Sequence, residues 1–439
     1  MSLFGAMNSA ISGLGAQSHA FGNISDNVAN SQTVGFKRVD TTFVSYLTTS
    51  TLSNNEPGAV VARPDYVNSV QGTITQSDNP LGLAIAGQGF FAVSQQTGQL
   101  NGVPTFNPQQ YYTRAGDFTL NKSGYLVNSA GLYLNGWAVD PLSGDVNQNS
   151  LAPIQVSQTV FNPVATSEVI LSANLPATPA AGTATAAAPI TSNIDVYDSL
   201  GTVHSIALNW VQNAPNSWTV SINAPDAVTP ALGSANVTFG GASGNPVPEG
   251  TIGQLDGVTG TVTTPGYAAG SAATLSFVAQ FGAIAQTIQL NMGNYGQTGG
   301  VSQYAGTAYN LRGLTQNGVP PGSFSGVTTQ ANGNIVVNYD NGQTRTIAQV
   351  PLITFNNPDV LQRQNGQAFT ATLDSGTPLA EQAGTNGAGS LVTSAIEGSN
   401  VDIAGEFSKL IVAQRAYTAN TRVVTTADDL LQQTIDMKR

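Results

Sequence analysis

The chain has 439 residues, 41% apolar and only 8% charged, with 13 Lys+Arg against 24 Asp+Glu for a formal charge of −11. That length allows two or three domains, and the apolar share excludes an acidic disordered chain, which would carry many charges and few apolar residues. There is no basic stripe for phosphates, no run of about 18 apolar residues to span a bilayer, and no Cys for disulfides, zinc–thiolate sites or a thiol nucleophile.

Near the N-terminus, Met7, Leu14, Phe21 and Val28 recur every seven residues, with Ala10, Gln17 and Ile24 three positions after the first three. This is a heptad seam. Gly5, Gly13, Gly15 and Gly22 interrupt it, each costing about 1 kcal/mol against Ala in a helix interior. No basic n-region or compact apolar h-region is visible there, so no cleaved secretory signal is expected.

The middle of the chain reads as β. An apolar run with glycine breaks spans 81–93, and two short strands flank a turn within 117–127. The run 173–190 is rich in Pro, Ala, Thr and Gly and reads as a linker or long loop. A meander follows over 192–198, 202–212 and 217–224. Asp340, Asn341 and Gly342 separate two strand-like runs, 334–339 and 343–350, a hairpin signal. The block from 155 to 300 reads as a domain inserted into another β-domain.

At the C-terminus Ile403, Leu410, Tyr417, Val424 and Leu431 form an unbroken seven-residue series, extended by Phe407 and Ile435. Ser399 with Asp402 reads as a capping box. Lys438 and Arg439 stand where the helix dipole favours cations. A helix with one apolar seam needs a partner. An ordinary two-helix packing would serve, but helices at both chain termini suggest that a coiled coil closes the whole chain.

Candidate chemistry is thin. GQGFFA at 87–92 matches a loose dinucleotide fingerprint, yet no helical period follows it, so a glycine turn between strands is the better reading. His19 and His204 are the only histidines and neither has a neighbouring His or Cys. Asp195 and Asp198 flank a turn, where Asp198 is expected to bond its own backbone; a calcium role would need further oxygen ligands. No catalytic, cofactor-binding or metal residue is assigned, and the chain is not expected to be an enzyme.

The sequence resembles the axial proteins of the bacterial flagellum, those of the hook in particular. The resemblance rests on DNVAN at 26–30, TVGFK at 33–37, LAIAGQGFF at 83–91, YTRAGDF at 112–118 with GYLV at 124–127, EGSNVD at 397–402 and AQRAYTAN at 413–420. VYDSLG at 196–201 with His204, QNG at 316–318 and YDNGQTR at 339–345 resemble the hook type's outer domain and the return from it. Rod members share the terminal motifs and are shorter; the run 225–295 matches nothing in this pattern.

The resemblance implies an α+β, mainly β fold. Residues 1–33 would give the N-terminal helix of a coiled-coil core, 34–75 an extended connecting segment, and 76–154 the first part of an inner β-domain. An outer β-domain would follow over 155–300, the rest of the inner domain over 301–396, and the C-terminal helix over 397–439. It implies a curved hollow tube outside the cell that carries torque, with export lacking a cleaved signal. Expected partners are further copies, the distal rod protein, the hook–filament junction protein, the hook cap, the export apparatus and the hook-length control protein. Nucleic acid and membrane insertion are not expected. Alternatives are a distal rod or other axial protein, or a β-rich secreted adhesin or fibre.

Two residue sets follow. The assembly seam comprises the two heptad series with Phe407 and Ile435. Ser408, Arg415, Arg422, Asp429 and Asp436 also recur every seven residues, five positions after the Ile403 series and so on the opposite side of the helix. A solvated face is the ordinary reading. Because the resemblance places this helix innermost, the stripe is expected to face the channel.

Overall fold

In a computed structural model, which describes residues 3–50, 55–140 and 144–437, helices occupy both ends of the described chain. Helix α1 spans Leu3–Ala29 and α2 spans Ile403–Asp436. At about 1.5 Å per residue the 34 residues of α2 are roughly 51 Å long. The expected capping box is displaced. Asp402, in extended backbone, is itself the N-cap and accepts from the Ala404 amide at 3.1 Å. Residues 399 and 400 stay outside the helix, where Asn400 is used to hold other segments.

The chain folds as two compact units. The first comprises Met1–Gln158, Ser325–Asn338 and Thr344–Arg439; the second comprises Thr159–Phe324 and Tyr339–Gln343. The first unit differs from expectation at 34–75. Strands β1 (Val39–Ser50) and β2 (Asn55–Tyr66) fold back as an antiparallel hairpin, from Val39 opposite Tyr66 to Ser50 opposite Asn55. Runs such as Thr41, Thr42, Phe43 and Val44 favour strands, so a connector this long can pair with itself.

The rest of the first unit interleaves the two ends of the chain. Strand β3 (Ile74–Gln76) pairs with Ala395–Glu397, and β4 (Leu83–Ala86) pairs with Ser390–Thr393. Strand β5 (Phe90–Leu100) pairs with Tyr111–Thr113, Leu132–Val139 and Leu352–Thr354. Gly87 and Gly89 have φ of 106° and 132° and turn the chain between β4 and β5, which is why glycine stands there. Phe90, Tyr112, Phe355 and Phe369 pack edge to face beneath this sheet.

The second unit has two five-stranded sheets around one core that includes Trp210, Trp218, Phe239 and Phe277. One sheet is a meander running from Ile190–Tyr197 to Ile252–Asp256. In its strand Ser217–Asn223, Trp218, Val220 and Ile222 point inward and their neighbours do not, the period of two that made it legible. The other sheet corrects two boundaries. Ser302–Tyr304 and Asn310–Gln316 both pair with Glu168–Pro176, so the unit runs to Phe324 rather than 300. Residues 173–176 belong to that strand and not to a linker, and Ala173 and Leu175 are buried.

Candidate assembly site

The two terminal helices pack on each other through small side chains. On α1 the buried positions are Ala10, Gly13, Ala16, Ala20, Ile24 and Asn27, and on α2 they are Glu406, Ala413 and Ala427. A Cβ on Gly13 would lie 2.8 Å from the Asn420 side chain. The line of closest approach on α2 therefore runs through 406, 413, 420 and 427, three residues beyond the expected series.

The large seam residues flank this line. Met7, Leu14, Phe21, Val28, Leu410, Val424 and Leu431 are half-buried, while Ile403, Phe407, Tyr417 and Ile435 are exposed. Phe21 meets Tyr417 edge to face at 6.5 Å. Alanine and glycine allow a closer approach than a leucine seam, and this pushes the bulky side chains to the margins. Arg415, Arg422, Asp429 and Asp436 are exposed; Ser408, also exposed, lines a groove and donates to the Ala404 carbonyl at 2.9 Å.

That groove has a volume of about 600 Å³ and lies between α1, α2 and β1, lined by Ala20, Ile24, Val39, Phe43, Val412 and Ala413 among others. Apolar side chains are also open on all three of these elements. Phe407 is 52% exposed and Ile411 50%, and Ile11, Phe43 and Tyr46 are also exposed. So many open apolar side chains on three neighbouring elements mark an interaction surface.

Behind the helices, polar groups fix the hairpin. Asn27 is fully buried; its Nδ2 donates to the Val39 carbonyl at 2.9 Å and to Glu406 Oε2 at 3.1 Å, and its Oδ1 accepts from the Val39 amide. Lys409 Nζ bridges Asp40 at 2.5 Å and Glu406 at 2.7 Å. Ser9 Oγ donates to the Gly58 carbonyl and Ser12 Oγ accepts from the Val60 amide. One asparagine and one glutamate thus join α1, α2 and β1 without leaving a buried donor alone.

A second node ties these elements to the β-part of the first unit. Glu397 is completely buried, and Oε1 accepts from Lys37 Nζ at 2.5 Å and from the Gly72 amide at 2.8 Å. Its Oε2 accepts from Arg114 Nη1 at 2.9 Å. Lys37 also donates to the Val70 carbonyl, and Arg114 Nη2 to the Gly87 carbonyl. Asn400 Nδ2 donates to the carbonyls of Val67 and Val70, while its Oδ1 accepts from the Arg38 amide. Burial pushes the Lys37 pKa down to about 8; Glu397 opposes that shift and Arg114 adds to it. Gly35 has φ of 68°, and a Cβ there would meet the Ala115 amide nitrogen at 2.3 Å.

Sequence reasoning missed this node. TVGFK, YTRAGDF and EGSNVD serve above only as marks of resemblance, yet each supplies one member of the cluster. A local signal existed. In a chain with so few charges, Lys37, Arg114 and Glu397 each adjoin an apolar residue, Phe36, Ala115 and Ile396 respectively.

Terminal helices that clasp each other, a hairpin and a charged lock packed on them, and open apolar side chains make up the site, and its class, the flagellar rod and hook proteins, comes from comparison with known families. Three family models agree. Flagellar basal body rod FlgEFG protein C-terminal matches residues 392–437, Flagellar hook protein FlgE/F/G D1 domain matches 84–172, and Flagellar basal body protein FlaE D2 domain matches 170–319. The chain belongs to the flagellar hook protein family. It is 31% identical to the flagellar hook protein FlgE of Brucella abortus over 440 residues, covering 100% of both chains. It is 28% identical to that of Salmonella typhimurium over 444 residues, covering 99% of this chain and 100% of the relative. Among solved structures, Helicobacter pylori flagellar hook protein FlgE2 gives a TM-score of 0.46 at 13% identity, over 72% of this chain and 98% of that one.

Proposed function

We propose that this chain polymerises with copies of itself into the curved, hollow hook, and that the tube carries torque from rod to filament while bending. The observation that carries the reading is the set of open apolar side chains on α1, α2 and β1, together with a groove of about 600 Å³ among these elements. One copy cannot cover it, and family membership supplies the occupant, a further copy. The work is mechanical, with no catalytic step. The distal rod protein, the hook–filament junction protein, the cap, the export apparatus and the length-control protein are its further partners, met during export without a cleaved signal and during assembly.

The exposed charges at Arg415, Arg422, Asp429 and Asp436 fit a channel wall, because an unfolded chain passing them meets few apolar side chains to stick to. Electron microscopy of purified protein under polymerising conditions tests the reading. Curved tubes are expected. Straight rods would favour a rod-type subunit, and small closed oligomers would favour an adhesin-like fibre protein.

A further inference from the structure

The two units draw on the chain in different ways. The paired strands of the second unit's two sheets all lie between Glu168 and Gln316, and its buried core runs from Val169 to Val301. Its meander joins near neighbours: Thr191 Oγ1 donates to Asn209 Oδ1, 18 residues on, and Thr219 Oγ1 to Asn236 Oδ1, 17 residues on. The β-part of the first unit has no such continuous run. Its aromatic core takes Phe90 and Tyr112 from before the second unit, and Ile353, Phe355 and Phe369 from after it. Phe90 and Phe91 pair with Ile353 and Leu352, Tyr112 and Thr113 with Phe369 and Ala368, and Leu83–Ala86 with Ser390–Thr393. Thr113 Oγ1 donates to the Gln367 carbonyl, 254 residues later.

We propose that the second unit is the folding template of the molecule. It folds first, from its own strands, and its closed neck then brings the two halves of the first unit's β-part within reach of each other. The neck is the place where Val164 pairs with Val319. Local pairings form quickly, whereas distant ones must first meet the entropy of closing their loop. Chains of this length fold unit by unit. Once the neck is shut, the stretch from Val164 to Val319 no longer counts in the loop from Thr113 to Gln367. Roughly 100 residues are then left to close instead of 254, and by the three-halves-power law the two ends meet about fourfold more often. The order is the same whichever end of the chain is free first. A chain emerging from either end completes the strands of its second unit while the first unit still lacks those of the other end.

The test follows refolding of the full-length protein from denaturant by pulsed amide hydrogen exchange. Amides of 203–214 and 217–223 are expected to gain protection before those of 352–354 and 368–370. Phe369 lies in the core of the first unit, and Trp210 and Trp218 lie in that of the second, so each unit can be weakened separately. Phe369→Ala should leave the time course of the second unit unchanged, whether or not the first unit completes. Trp210→Asp with Trp218→Asp puts two charges into the second core and holds that unit open. In this double variant, protection of 352–354 and 368–370 should arrive at least about fourfold later, or not at all. First-unit amides protected as early as those of the second unit overturn the proposal. So does a second unit that Phe369→Ala slows or keeps from folding. A first unit that refolds at the wild-type rate in the double variant overturns it as well, because closing the neck would then contribute nothing.

Discussion

Substituting Lys37 by Met should change how stability depends on pH, and the sign follows from burial. An unfolded lysine titrates near 10.5, and in the folded chain Lys37 titrates at about 8. Between those values the unfolded state holds more protons, so the lysine's contribution rises with pH through that window. At pH 7 both states are charged and there is no gradient. By pH 10 the wild type should have gained roughly 2–3 kcal/mol relative to its own value at pH 7. Lys37→Met lacks this gain. Denaturant unfolding of both proteins at pH 7, 8, 9 and 10, followed by circular dichroism, gives a difference curve in which other titrating groups cancel. That curve should climb steadily in favour of the wild type. A flat or falling difference would refute the reasoning, since Lys37 would then not be desolvated in the folded chain.

Other substitutions separate the helix contact from the assembly surface. Gly13→Leu should destabilise the helix pair by about 1–3 kcal/mol through overpacking against Asn420, read as lost exchange protection in α1. Phe407→Ser with Ile411→Ser should leave monomer unfolding within about 0.5 kcal/mol per site, because both side chains are half exposed, yet abolish polymer in sedimentation assays. Intact polymer would show that this face is not an interface. Arg415→Leu or Arg422→Leu should permit assembly and slow export of later subunits, measured as secreted protein per unit time; unchanged export would remove these residues from the channel wall.

The helices were legible because heptad spacing survives even where the side chains are small. Their line of contact was not, since Ala413 and Ala427 carry little apolar weight beside Leu410 and Val424. Strands such as Ser217–Asn223 declared themselves by alternation, and Gly342 with φ of 78° marked its hairpin. The hairpin of 39–66 was hidden because exposed Phe43 and Tyr46 blur its alternation. The end of the second unit was missed because Ser302–Tyr304 and Asn310–Gln316 are polar and pair with a strand about 130 to 150 residues earlier. The ion cluster is the extreme case: its members are adjacent only in space, and no window of sequence contains two of them.

The entry and exit of the second unit lie side by side. Phe161 bridges to Gly322, and Val164 exchanges amide–carbonyl bonds with Val319, each at 2.9 Å. Asp198 caps the next turn by accepting from the Leu200 and Thr202 amides, and Gly201 of that turn lies against Pro163 and Pro321, where a Cβ would meet proline Cδ at 2.4 Å. Chain leaving through Val164 thus comes back within one strand's width, whatever is folded in between. Lengthening or replacing that interior adds no closure cost at this pair of strands, because loop entropy is charged inside the insert. What is folded beyond the neck can therefore grow, shrink or change its surface without moving the points where the chain enters and leaves.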